Sequence, residues 1–177
     1  MDFNQHIADR LGVIFRRHSL HITEQFKNHV KLKSDRLVIM LNHDEIENSS
    51  TLYVGSDEDF LYPIDDYILK RAFNSNLKIN HVTQEIFVNN LAMFFEDEGR
   101  PLIAGNEYAL AAVKKYVYKE GETYTSQLVD KQNLDAANRA WEERNYKDFI
   151  KYLDKTDKQK LPASYQIKYK MAQHKIK

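Results

Sequence analysis

The chain has 177 residues with no net formal charge, and 42% of them are hydrophobic, including nine Phe, eleven Tyr and one Trp. That is enough apolar bulk for one domain, or a domain with a small helical appendage, to form a core without disulfides. The absence of cysteine excludes disulfide frameworks, thiol catalysis, iron–sulfur clusters and cysteine-type zinc sites.

Residues 2–17 read as an amphipathic helix, with Phe3, Ile7, Leu11, Ile14 and Phe15 on one stripe. Acids precede its apolar residues and no basic leader region occurs, so a secretory signal is not expected. From Phe26 to Gly55 the pattern changes to a period of two. Phe26, Val30 and Leu32 fall on one side, and Lys27, His29, Lys31 and Lys33 on the other. Ser34-Asp35-Arg36 predicts a turn, Leu37–Leu41 a buried strand, Asn48-Ser49-Ser50 a second turn, and Thr51–Val54 a third strand.

An acidic loop, SDEDFLYP, follows. Pro63 suits the first turn of a helix carrying Ile64, Tyr67, Ile68, Ala72 and Phe73, ended by Asn74-Ser75-Asn76. Leu77–Ile79 reads as a short extended piece. Thr83 caps the next helix, whose apolar face is Ile86, Phe87, Leu91, Phe94 and Phe95, and Gly99 with Pro101 stops it. This helix is expected to lie across the sheet. Another runs from Glu107 to about Tyr118, and Gly121–Ser126 reads as the boundary of a helical C-terminal part. There, Leu134, Ala137, Ala140 and Trp141 mark one helix ending near Asn145. Tyr146, Phe149, Ile150 and Leu153 mark a second, and Tyr165, Tyr169 and Ala172 a third opened by Pro162. The expected architecture is α+β: residues 1–122 form an antiparallel meander of three to four strands covered by helices, and residues 123–177 a helical hairpin docked on it.

Charge is unevenly placed. Residues 40–107 carry net −9, residues 1–39 net +3 and residues 145–177 net +6. Either helix surfaces are simply rich in solvated charge, or the middle and the tail steer charged partners. No apolar run approaches the roughly 20 residues of a spanning helix, so a cytoplasmic protein is expected.

Candidate chemistry is sparse. His43, Asp44, Glu45 and Glu47 put an imidazole and three carboxylates in one strand-to-turn segment, with His29 on a neighbouring strand. Residues 43, 45 and 47 sharing a strand face could ligate zinc or manganese in a metal-assisted hydrolase, although no HExxH or HxH pairing accompanies them. His18 and His21 fail as a helical ligand pair if the helix ends before them, and His6, His81 and His174 are isolated. Glu96, Asp97 and Glu98 sit at a helix C-terminus, where the dipole disfavours acids. Glycine-rich phosphate loops and nucleophile elbows are absent. The stripe Lys27, His29, Lys31, Lys33 and the tail lysines 151, 155, 158, 160, 168, 170, 175 and 177, interleaved with Tyr152, Tyr165 and Tyr169, leave nucleic-acid binding open. Solvated lysine faces are the simpler explanation, and an acidic middle repels phosphate.

Two resemblances add to this reading. AANRAWEERNYKDFIKYLDK followed by LPASYQIKYKMA resembles one helix–turn–helix unit of a tetratricopeptide repeat, with Asn145 where that family has glycine. The layout VKLKSDRLVIMLNHDEIENSSTLYVG, then FFEDEGRPLIAG and a helical hairpin, is similar to small bacterial immunity proteins that neutralise polymorphic toxins. The resemblance implies a non-enzymatic, cofactor-free protein binder and carries no functional residues with it. On charge, Asp44, Glu45, Glu47, Asp57, Glu58 and Asp59 are the residues expected to meet a basic partner.

Overall fold

The computed structural model describes residues 2–158 and 161–176, and these divide into two compact units, Met1–Lys119 and Glu120–Lys177. The first unit is α+β. It begins with α1 (Phe3–Arg17), capped by the Asp2 carboxylate, which accepts the Gln5 N–H. Five strands follow: β1 (His21–Phe26), β2 (His29–Lys33), β3 (Val38–Asp44), β4 (Ser49–Gly55) and β5 (Tyr62–Ile64). They pair antiparallel in sequence order, a meander in which every neighbour in space is a neighbour in the chain.

Register sorts the side chains. Val30, Leu32, Ile39, Leu41, Leu52, Val54 and Ile64 are all buried on the inner face. There they join Phe3, Ile7 and Leu11 of α1 and Phe87, Leu91, Phe94 and Phe95 of α3 (Gln84–Glu96) in one core. The outer face carries His29, Lys31 and Lys33 of β2, Asn42 and Met40 of β3, and Thr51 and Tyr53 of β4.

The sheet exceeds the expected three to four strands because two of its members lack the apolar signature. In β1 no residue is buried, and in β5 only Ile64 is. Pro63 opens no helix; it lies in β5, an edge strand where a missing N–H costs least. Helix α2 (Asp66–Phe73) starts three residues later, with Asp65 Oδ1 accepting the Ile68 N–H. Leu77–Ile79 forms no strand. It is held by the Asp66 carboxylate, which accepts from Ile79 N and Asn80 N at 2.7 and 3.1 Å. Burial opposes that charge, but these hydrogen bonds and Lys78 bring the Asp66 pKa below the ordinary range.

Thr83 caps α3, its hydroxyl accepting the Ile86 N–H. Ile86 itself faces outward, and Val88 takes its place in the core. The helix ends at Asp97, while Gly99 and Pro101 begin the short α4 (Arg100–Ile103). Gly99 packs on the Phe94 ring too closely for any Cβ. The acids at this helix end are offset by Arg100, whose guanidinium donates to the Glu96 carbonyl.

The expected boundary at Gly121–Ser126 is not a break in the backbone. Helix α5 runs Glu107–Glu142 without interruption, and the division between the units falls inside it. Residues 118–129 are all exposed, so the low helix propensity of Gly121, Thr123, Thr125 and Ser126 is overcome by hydrogen-bond continuity from both sides. Beyond it stand α6 (Tyr146–Leu153) and α7 (Ala163–Lys175). Arg144 takes the left-handed conformation that ends α5, and Asn145 caps α6 by accepting the Asp148 N–H. Ala137, Ala140, Phe149, Leu153, Leu161 and Ala172 form this unit's own small core. Among the described residues no helix is long and apolar enough to cross a membrane.

Candidate functional site

The six acids singled out above occupy two turns with the same local construction. In the turn after β3, Asp44 Oδ1 accepts the backbone N–H groups of Ile46 and Glu47 at 2.8 and 3.0 Å. In the loop after β4, Asp57 Oδ1 accepts those of Asp59 and Phe60 at 3.0 and 3.1 Å. Each Asp is thereby spent on its own turn, as short carboxylates at turn starts commonly are.

The next residue in each turn reaches a lysine on another strand or hairpin. Glu45 meets Lys27 Nζ at 2.9 Å, and Glu58 meets Lys33 Nζ at 3.0 Å and Lys31 Nζ at 3.3 Å. Lys31 is also 3.1 Å from Glu24 of β1. The Asn28 and Lys27 hydrogen bonds hold the Glu45 pKa below its ordinary value, and Lys33 and Lys31 do the same for Glu58. Lys31 is raised in return by Glu24 and Glu58. The basic stripe and the acids therefore meet in two separate sets of ion pairs, Lys27 with Glu45 and Lys31 and Lys33 with Glu58. Among the described residues, the Glu47 and Asp59 side chains make no hydrogen bond or ion pair.

β4 separates the two turns. The six steps between its seven residues, at about 3.3 Å each, place them about 20 Å apart, at opposite ends of the strand, so the six acids make two patches. Each patch has an exposed hydrophobe beside its acids. Ile46 is 96% exposed between Glu45 and Glu47, and Phe60 is 66% exposed after Asp59. Phe26, 61% exposed, adds a ring at the first end, 5.6 Å from His29. These three side chains were not among the expected contacts. Ile46 was legible in principle, since an isoleucine between two acids in a turn has no packing reason to be there.

Between the ends, His29 Nδ1 lies 2.6 Å from Asn42 Oδ1, and Asn42 Nδ2 donates to Thr51 Oγ1 at 3.4 Å. A polar lane thus crosses β2, β3 and β4 on the outer face. His29 Nε2 is buried without a hydrogen-bond partner, 3.9 Å from Glu24.

The structure does not bring the candidate metal ligands together. β3 ends at Asp44, so residues 43, 45 and 47 do not share a strand face. His43 turns inward, where it stacks on Phe3 and contacts Ser50 Oγ at 3.0 Å, whereas His29 is on the outer face. No three His, Asp or Glu side chains converge on a point among the described residues. His18 ends α1 and His21 begins β1, so they form no helical pair. Burial, with Arg17 and Arg100 nearby, lowers the His18 pKa.

In the C-terminal unit, tyrosines and lysines face each other. Lys168 lies over Trp141 and Tyr165, Lys155 over Tyr152, and Lys158 over Tyr169. Lys158 also pairs with Asp154 at 2.7 Å, and Tyr169 Oη donates to the same carboxylate at 2.6 Å. Ring faces that a base would need for stacking carry an ammonium instead. Lys160 and Lys177 lie outside the described residues.

No protein-family model matches the chain, and no curated protein or solved structure matches it.

Proposed function

We propose that the protein is a non-enzymatic binding module of the immunity type, acting in the cytoplasm against a basic protein partner. The observation that supports this reading is the pairing of an exposed large hydrophobe with acids at both ends of β4: Ile46 with Glu45 and Glu47, and Phe60 with Glu58 and Asp59. An apolar anchor with a charged surround is the arrangement that protein interfaces favour, the anchor supplying affinity and the charges steering the encounter. Ion-paired lysines beside Glu45 and Glu58 hold those carboxylates in position before the partner arrives, which lowers the ordering cost of binding. The two patches suit a partner wide enough to reach across the outer face of the sheet.

The test is co-purification with the product of an adjacent gene. Two variants are compared with the parent, one with Ile46→Asp, Glu45→Lys and Glu47→Lys, the other with Phe60→Asp, Glu58→Lys and Asp59→Lys. Each is expected to weaken capture at least about tenfold while circular dichroism stays unchanged. Undiminished capture by both folded variants overturns the reading.

A further inference from the structure

A second surface, on the opposite side of the sheet, is built differently. Helix α1 packs on α3 and over β2 and reaches β1 through the Asn4–Phe26 hydrogen bond, leaving a gap beside the rest of that strand. Ile22 and Gln25 point toward the helix side, yet Ile22 remains 54% exposed and no residue of β1 is buried. The gap is a cleft of about 350 Å³, with Ile7, Phe15, Leu20, Val30 and Leu32 among its apolar walls.

Four features of the cleft are not accounted for by packing alone. β1 is an edge strand, pairing with β2 alone, so its far edge has no strand partner among the described residues. At one end Asn4 Nδ2 donates to the Phe26 carbonyl at 2.6 Å, while Asn4 Oδ1 is buried with no hydrogen-bond partner. At the other end Arg16 forms no ion pair among the described residues, and its guanidinium lies beside Gly12. Gly12 is itself unexplained by packing. It sits inside a helix, where glycine is unfavourable relative to alanine, and an added Cβ would meet only the end of the Arg16 side chain, at 3.5 Å. Its absence keeps the cleft wall low.

We infer that the cleft and the open edge of β1 together bind a short extended peptide segment with an acidic residue. Its backbone pairs along β1 and its alternate side chains drop between β1 and α1, as strand addition beside a helix requires. An apolar side chain fills the cleft, a peptide N–H meets Asn4 Oδ1, and the acid meets Arg16. The span from Asn4 to Arg16, twelve helical steps of about 1.5 Å, is about 18 Å, which five or six extended residues match. A fatty acyl chain fits the walls but leaves both the β1 edge and Asn4 Oδ1 unmet. The bulge at Thr23 interrupts the register of β1 and suits a short guest over continuous edge-to-edge stacking. This surface is separate from the acid-bearing turns, and its failure leaves the proposed function standing.

The full-length chain is panned against a displayed library of random seven-residue peptides, and the enriched sequence is synthesised. Expected are apolar residues two apart with an Asp or Glu, and amide shifts on titration concentrated at Gly12, Ile22 and Gln25. Arg16→Glu and Ile22→Lys, both at exposed positions, each weaken binding at least tenfold with an unchanged melting curve, and Gly12→Leu blocks the cleft. No enrichment, shifts away from α1 and β1, or undiminished binding by Arg16→Glu and Ile22→Lys overturns the assignment. Shifts at these amides with sodium laurate but with no peptide also overturn it, giving the cleft to an acyl ligand.

Discussion

The two acid-bearing turns are nearly the same device on different footings. Both begin with an Asp that binds two backbone N–H groups and continue with a Glu tied to lysine, and both expose a hydrophobe. The turn after β3 is a tight hairpin connection with Asn48 in the left-handed region. The loop after β4 instead folds back on the sheet, with the Phe60 carbonyl against Gly55 where a Cβ would stand. Val38, the strand partner of Gly55, is fully buried although it lies on the outer face. One turn is shaped by its own backbone and the other by the strand beneath it.

The difference is broken most forcefully at Gly55. An alanine there would run into the Phe60 carbonyl and come within 2.9 Å of the Leu61 side chain and 3.0 Å of the Asp57 carbonyl. Gly55→Ala is expected to cost about 2 kcal/mol, read as a lower urea midpoint, and to shift the amides of residues 56–61 while those of 45–48 stay put. An unaltered 56–61 loop in that variant contradicts the fold-back. Asp44→Ala and Asp57→Ala probe what the turns share. Each is expected to lose about 1 kcal/mol by chemical denaturation, and a large inequality between them shows that one Asp is not the organiser of its turn.

The smallest effect separates the two glutamates. Both have folded-state pKa values below their unfolded ones. Their contribution is therefore complete above the unfolded value of about 4.3 and disappears as pH falls through the lower folded value. Carboxyl NMR titration is expected to show both midpoints depressed. Removing both lysines, with Lys31→Met and Lys33→Met, returns Glu58 to an ordinary midpoint. Lys27→Met moves Glu45 only part of the way, because the Asn28 hydrogen bond remains. Full recovery of Glu45 in that variant refutes the part given to Asn28.

Legibility followed the apolar side chains. Helices α1 and α3 were readable because their buried residues recur at helical spacing, and β2 and β3 because Val30, Leu32, Ile39 and Leu41 are large and inward. β1 was not, since HITEQF buries nothing and a solvated edge strand leaves no period in hydrophobicity. Pro63 carries the same local preference in a helix start and an edge strand, and only its partner Tyr53 decides between them. The acids could be counted from the sequence, but their pairing with Lys27, Lys31 and Lys33 could not. Those contacts span 18 to 27 residues along the chain and depend on strand register. Gly121 and its neighbours look like a linker to any propensity scale, yet a nucleus already formed on either side extends helix through them.

The exposed middle of α5 has a consequence for how the chain comes apart. Residues 118–129 are all exposed and include the weak helix formers Gly121, Thr123, Thr125 and Ser126, so their amides are expected to exchange with deuterium well before those of the flanking turns. A protease needs only that local opening to cut between Lys119 and Ser126, and such a cut passes through neither cluster of buried side chains. Nicking there would leave the buried cluster of each unit uncut.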